Sequence, residues 1–139
     1  MRQLLIITSI IISLSIGLWA GSKAHDQRNV LYNFYVEAQE ALAADNFKAA
    51  KDALESLTKN SDGEIKTMAA SASKAADLKA LRQAFKSLSE HMAKAELPSG
   101  LAVAYCPMAK AHWVQKDGEV ANPYYGSAML RCGSIKKRN

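Results

Sequence analysis

Glycine and proline are scarce in this chain, and they are nearly missing from its middle. There are seven glycines and three prolines in 139 residues. Apart from Gly63, all of them lie in the first 21 residues or beyond Glu96. Because glycine weakens helices and proline interrupts them, the middle of the chain is free to be helical.

The motifs of several enzyme classes are also missing. The sequence has no nucleophile elbow, no H-E-x-x-H and no glycine-rich phosphate loop, and its acidic residues are scattered singly. Cys106 and His112 could pair as nucleophile and base, but the residues around them match no recognisable catalytic motif. The net charge is a modest +5, with acidic residues spread from Asp26 to Glu119, which is typical of a solvated surface. We therefore expect neither an enzyme nor a nucleic-acid-binding protein.

The amino terminus has the layout of a secretory signal. A short positive start precedes an almost wholly apolar run, Leu4 to Ala20. Ser22-Lys23-Ala24, followed by His25, is the best match to a cleavage site, and cleavage after Ala20 or Ser22 is the alternative. We predict a signal peptide over 1–24 and a periplasmic protein. The other interpretation is an uncleaved membrane anchor, for which the apolar run is at the short end of the required length.

Apolar residues at helical spacing follow in four stretches. The first runs from Arg28 to Ala44, and the second begins with Asp45 as a plausible N-cap and ends near Asn60. The third begins near Glu64, and the fourth follows from Asp77 until Leu97-Pro98-Ser99-Gly100 stops it. Alternatively, the third and fourth stretches form one long helix. Because the connections between these stretches are short, helices that follow each other in the chain should pack antiparallel.

Residues 101–139 differ in character from the helical stretches. Leu101–Tyr105 is a short apolar run that fits an extended segment, and Asn122-Pro123-Tyr124-Tyr125-Gly126 fits a turn. We predict a mainly α fold, an up-and-down bundle of three to four helices with a loop-rich carboxy-terminal segment. Its motifs are C-P-M, beginning at Cys106, and M-L-x-C-G, beginning at Met129. The length after the signal suits a single domain over 25–139.

Both cysteines lie in this segment, each close to a methionine. Cys106 is followed by Met108, and Met129 precedes Cys132 by three residues, on one face if that turn is helical. Thiolate and thioether are soft ligands, which suit Cu(I) far better than Mg, Ca or Mn. The pattern therefore predicts a soft-metal site formed where the two loop ends converge. His112 is either a further ligand or a surface residue.

A disulfide is the alternative for the two cysteines. Two cysteines in an exported protein normally form one, and closing a loop of this size stabilises a fold by about 3 to 4 kcal/mol in the chain-entropy model. Such a protein would be a disulfide-stapled helical interaction module of the cell envelope, without a metal role. The methionine near each cysteine favours a metal site, since a disulfide needs no methionine. The thiol and disulfide forms can interconvert, and the oxidised protein is then unable to bind metal.

Several motifs together resemble a known family. They are A-A-D-N-F-K-A-A-K, L-R-Q-A-F-K-S-L-S, Y-C-P-M-A, Trp113 and N-P-Y-Y-G-S-A-M-L-R-C-G. The chain resembles the small periplasmic domain, formerly of unknown function, that is fused to adaptor subunits of Cus-type heavy-metal efflux pumps and also occurs as stand-alone exported proteins. The likeness spans about residues 28–135.

The resemblance implies copper or silver handling in the periplasm. Cys106, Met108, Met129 and Cys132 match the family's sulfur positions, whereas the histidines are not a dependable part of its pattern. No adaptor hairpin, lipoyl or barrel region precedes the domain in this sequence, so the stand-alone form is expected. The expected function is that of a Cu(I) chaperone or buffer, with Ag(I) as the other candidate ion. Its expected partner is an efflux adaptor or another periplasmic copper acceptor.

Overall fold

The computed structural model describes the backbone of residues 16–139 and the side chains of residues 22–139, so most of the predicted signal peptide lies outside the described residues. The protein is mainly helical, as predicted. The elements are α1 (Ile16–Ala43), α2 (Phe47–Asn60), α3 (Gly63–Ser73), α4 (Leu78–Lys94), β1 (Leu101–Cys106), β2 (Ala111–Lys116), a 3₁₀ turn (Gly126–Ala128) and β3 (Ser134–Arg138). From residue 16 onward, no helix is both long and apolar enough to cross a membrane.

The helix boundaries agree with the sequence pattern except at two places. Helix α1 already includes Ile16, the first described residue, ahead of the predicted start at Arg28. The N-cap of α2 is Asn46 and not Asp45, because the Asn46 side chain accepts a hydrogen bond from the Ala49 N–H at 3.0 Å. Asp45 has a left-handed φ of 58° instead. Helices α3 and α4 are separate, and the Asp77 side chain caps the start of α4.

The four helices form an antiparallel arrangement around one apolar core. Each helix packs against the next in the chain, and α4 returns to α1. The Tyr32 hydroxyl donates to the Met92 carbonyl at 2.7 Å, and the Tyr35 ring stacks on Phe85 at 5.1 Å. Later residues of α1 thus contact earlier residues of α4, which makes these two helices antiparallel. The fully buried core side chains of α2 and α4 include Leu54, Leu57, Leu81, Phe85 and Leu88.

The carboxy-terminal segment contains a three-stranded antiparallel sheet in the order β2-β1-β3. The prediction of a loop-rich segment was therefore incomplete, although β1 coincides with the run expected to be extended. Strand β2 was missed because three consecutive residues, Trp113 to Gln115, are buried and no alternation of apolar and polar residues marks it. Strand β3 was missed because most of its residues are charged or exposed.

The free edge of β2 is bound to the helices by side chains. The backbone N–H of His112 donates to the Glu90 carboxylate at 2.6 Å, and that of Val114 donates to the Tyr35 hydroxyl at 3.1 Å. The Tyr124 hydroxyl donates to the His112 carbonyl. An edge strand otherwise leaves these backbone groups unpaired. The sheet therefore docks on α1 and α4 through specific hydrogen bonds in addition to apolar packing.

The Tyr35→Phe variant tests this docking. The substitution keeps the ring but removes the hydroxyl that accepts from Val114 and contacts Ser89 at 2.8 Å. Because it leaves a buried N–H without a partner, we expect the free energy of unfolding to fall by about 1 to 3 kcal/mol. Urea unfolding measures this, with Tyr125→Phe as the control at a half-buried tyrosine. Equal stability of the two variants would contradict the proposed role of the Tyr35 hydroxyl.

Candidate metal centre

The two cysteine thiols meet at the end of the sheet. Cys106 is the last residue of β1, and Cys132 lies two residues before β3. Because β1 and β3 are antiparallel neighbours that pair Tyr105 with Ser134, the two cysteines must lie close together. Their Sγ atoms are 3.0 Å apart, and both cysteines are free. The predicted convergence of the two cysteine-bearing loops is what the structure shows.

The two thiols differ in their surroundings. Cys106 is completely buried, and its sulfur accepts a hydrogen bond from the Ala109 N–H at 3.4 Å across the turn that joins β1 to β2. Lys110 closes that turn with a left-handed φ of 50°. Cys132 is only partly buried and follows a turn in which its N–H donates to the Met129 carbonyl at 3.0 Å. One thiol is thus enclosed, and the other reaches the surface.

These surroundings shift the two thiol pKa values in opposite directions. Burial of Cys106 disfavours its thiolate, but hydrogen bonds from Cys132, from the Ala109 and Met108 N–H groups and from the Asn122 side chain outweigh burial and lower its pKa. The hydrogen bond to Cys106 raises the pKa of Cys132, and partial burial and the negative charge on Cys106 add to this effect.

Asn122 holds the Cys132 loop in place. Its side chain is completely buried, donates to the Cys132 carbonyl at 2.7 Å and accepts from the Tyr124 N–H at 2.8 Å. Its own N–H donates to the Leu130 carbonyl at 2.8 Å. The N-P-Y-Y-G motif predicted a turn here but not this role. The signal was the motif itself, since asparagine side chains commonly bind nearby backbone groups in turns.

Gly133 allows the loop to approach the sheet closely. It has a φ of 135°, and a Cβ at this position would lie 2.8 Å from both the Trp113 ring and the Tyr105 carbonyl oxygen. Trp113 is completely buried and meets the Tyr124 ring edge to face at 5.8 Å. Trp113 is therefore a packing residue of the core.

The methionines lie beside the thiols along the chain but at the surface. Met108 is 63% exposed and Met129 is 36% exposed. Met129 follows the 3₁₀ turn with φ of −150°, so the helical turn expected to place Met129 and Cys132 on one face is absent there. Two of the five predicted donors are thus in contact, and two are exposed in the same loops. Exposure at both positions is inconsistent with core-filling methionines.

His112 does not join the thiols. It pairs with Tyr105 across the sheet, whereas Cys106 pairs with Ala111, and successive residues of a strand point to opposite faces. The His112 ring lies 4.6 Å from the Tyr105 ring, and its Nδ1 is 3.1 Å from the Glu90 carboxylate. Among residues 16–139, no three side chains of His, Cys, Asp or Glu come together as a metal site. The thioethers of Met108 and Met129, in the same loops as the thiols, are the candidates for a further ligand.

The Asp45 carboxylate fastens the loop that carries Met129 and Cys132 to the helices. It accepts from the Arg82 side chain, from the Ser127 N–H at 3.1 Å and from the Ser127 hydroxyl. The hydrogen bonds from Ser127 and Arg82 lower the pKa of Asp45 to about 2. At Gly126, a Cβ would collide with this carboxylate, and φ is +56°. Only glycine therefore fits this contact without strain.

This contact predicts a defined pH dependence. Because the pKa of Asp45 is lower in the folded protein than the ordinary value near 3.9, its stabilising effect is present above about pH 4 and is lost as the pH falls towards 2. Urea unfolding should therefore show Asp45→Asn less stable than the wild type at pH 7, with the difference shrinking below pH 4. Ser127→Ala should behave in the same way. A difference that stays constant down to pH 2.5 would contradict this account.

Comparison of the chain with protein-family models, curated proteins and solved structures found no match. The family resemblance therefore rests on the sequence motifs alone and stays a prediction.

Proposed function

We propose that this protein holds one soft monovalent ion, Cu(I) or Ag(I), between Cys106 and Cys132 and passes it to an acceptor. The observation that carries this proposal is the contact of the two thiols at 3.0 Å, one buried and the other partly exposed. Thiolates are the preferred ligands of Cu(I). The buried thiol retains the ion, and the exposed thiol gives an incoming acceptor ligand access to it.

The geometry of the thiol pair is compatible with an ion after a small movement. With metal–sulfur distances of about 2.3 Å, two thiolates stand about 3.8 Å apart at a tetrahedral angle and farther apart in a linear site. The sulfurs, now 3.0 Å apart, must therefore separate by roughly 1 Å or more. Cys132 is the thiol that moves, because it lies in a turn and is partly exposed, whereas Cys106 belongs to a buried strand.

The exposed methionines complete the proposed ligand set. Methionine is unbranched and flexible, so a thioether at the surface can turn towards an ion without disturbing the core. Met108 and Met129 lie in the two loops that carry the thiols, and no apolar side chain of comparable size is as exposed in residues 22–139. Exposed thioethers also suit a transfer step, since they bind more weakly than thiolates and can exchange ligands with an acceptor.

The setting of this activity is part of the proposal. The expected signal peptide places the domain, residues 25–139, in the periplasm, and the family resemblance suggests an efflux adaptor or another periplasmic copper acceptor as partner. The protein then acts as a chaperone or buffer and not as an enzyme. The second candidate is the disulfide-stapled interaction module, which the short distance between the sulfurs also favours. Counting free thiols in protein taken from the periplasm, with and without Cu(I), separates the two.

The cysteines determine the metal stoichiometry. We expect the reduced protein to bind about one Cu(I) per monomer and the oxidised protein to bind none, because oxidation removes both thiolates. The double variant Cys106→Ser, Cys132→Ser should lose this binding in a chelator competition titration. His112→Ala serves as the control and should bind like the wild type, since His112 lies on the opposite face of the sheet. Tight stoichiometric Cu(I) binding by the double cysteine variant would show that the two cysteines are not the metal ligands.

The methionines distinguish the two candidate functions. Met108→Leu and Met129→Leu retain size and hydrophobicity, so we expect the free energy of unfolding to change by less than about 1.5 kcal/mol. Affinities for Cu(I) and Ag(I) should fall, because each change deletes a soft donor. Met68→Leu, in α3 and remote along the chain from the thiols, is the matched control. If the double leucine variant and the wild type compete equally with a Cu(I) chelator, the methionines are not ligands.

A further inference from the structure

The two thiols differ in how a reagent from solvent reaches them. Cys106 has no exposed surface, and its sulfur contacts the Ala109 N–H of its own turn and the Cys132 sulfur. Cys132 is partly exposed in a segment without regular secondary structure. A disulfide that approaches the folded protein therefore meets the sulfur of Cys132 first. The sulfur of Cys106 lies directly behind it at 3.0 Å.

We propose that the pair performs thiol–disulfide exchange with external disulfides in a fixed order, in which Cys132 forms the mixed disulfide and Cys106 resolves it. The substrate class is a small disulfide or a disulfide on a flexible peptide. This proposal deepens the function proposed above, because the same two sulfurs are the proposed ion ligands. Exchange therefore controls whether the ion site exists.

The exchange proceeds in two balanced steps. In the first, the Cys106 thiolate takes the Cys132 proton across the 3.0 Å contact, the Cys132 sulfur attacks one sulfur of the external disulfide R–S–S–R, a Cys132–S–R bond forms, and the first R–S⁻ leaves. In the second, the Cys106 sulfur attacks Cys132, the Cys106–Cys132 bond forms, and the second R–S⁻ leaves and takes up the Cys106 proton. The protein loses two electrons, and the external disulfide gains them as one thiolate and one thiol.

The framework around the pair favours this order. Asn122 holds the Cys132 carbonyl at 2.7 Å, which keeps the Cys132 loop near Cys106 while the mixed disulfide exists. The close approach at Gly133 fixes the next residue against the Trp113 ring. Cys106 therefore attacks a neighbour that is already in place, and resolution needs little rearrangement. The reverse order would require the enclosed Cys106 to contact the reagent, for which the Cys132 loop must first open.

Oxidation and ion binding exclude each other. The disulfide consumes both thiolates, so the oxidised protein retains only the exposed thioethers, which bind Cu(I) weakly. Conversely, an ion bound to both sulfurs blocks attack by Cys132. The oxidant in this scheme is the external disulfide, and the ion itself keeps its charge.

The order of exchange is tested without any metal. Reduced wild type, Cys106→Ser and Cys132→Ser are mixed with the aromatic disulfide 5,5′-dithiobis(2-nitrobenzoate), and the released thiolate and intact masses are followed. We expect Cys106→Ser to form one stable mixed disulfide, and Cys132→Ser to react at least ten-fold more slowly until urea is added. The wild type should release two thiolates per chain and end as an intramolecular disulfide without adduct. Equal rates in the two variants would overturn the proposed order.

A second measurement avoids dependence on the variants. Wild-type protein quenched by acid early in the reaction is digested, and the first label is located by mass spectrometry. We expect it on the peptide that contains Cys132, and a first label on Cys106 would overturn the proposal. Because no metal is present, this result is independent of the Cu(I) titration. Ordered exchange without Cu(I) binding would defeat only the proposed function, and Cu(I) binding with first labelling at Cys106 would defeat only this inference.

Discussion

The attachment of the β2 edge to the helices is the interaction on which the rest of the structure depends. Short strands are stable only in a sheet that buries an apolar face or packs against helices. Glu90 and Tyr35 bind consecutive outward-facing N–H groups of β2, and β2 in turn holds β1, whose last residue is Cys106. The helical bundle thus fixes the position of the buried thiol through a chain of hydrogen bonds. The bundle therefore positions the candidate site, whose side chains lie in the sheet and its loops.

The candidate site combines a rigid half with an adjustable half. Cys106 belongs to the central strand, and its sulfur is enclosed. Cys132 and both methionines lie in turns and reach the surface to different extents. The adjustable half still has a limited range, because Asn122 and Asp45 hold it at two points. This combination suits a site that must accept and release an ion, since a fully enclosed site releases slowly and a fully exposed one retains poorly.

The sequence predicted the helices well and the site partly, for identifiable physical reasons. The apolar stripe of α4, from Leu81 to Met92, is buried as its helical spacing predicted. Asp45 was expected to cap a helix, but its role depends on Ser127, which is 82 residues away and cannot be inferred from local pattern. The closeness of the two cysteines was predicted from their motifs. The separation of His112 from them follows from strand register, which only the sheet reveals.

The contact between Asp45 and Ser127 also bears on the order of folding. It closes a separation of 82 residues along the chain, and contacts between such distant residues form later than helical turns. We therefore expect the Cys132 loop to reach its place after the α1–α2 corner and α4 have come together. Until then, both thiols are accessible to solvent and to oxidants. Assembly of the helices thus decides when the chain changes from two accessible sulfurs to one, Cys132.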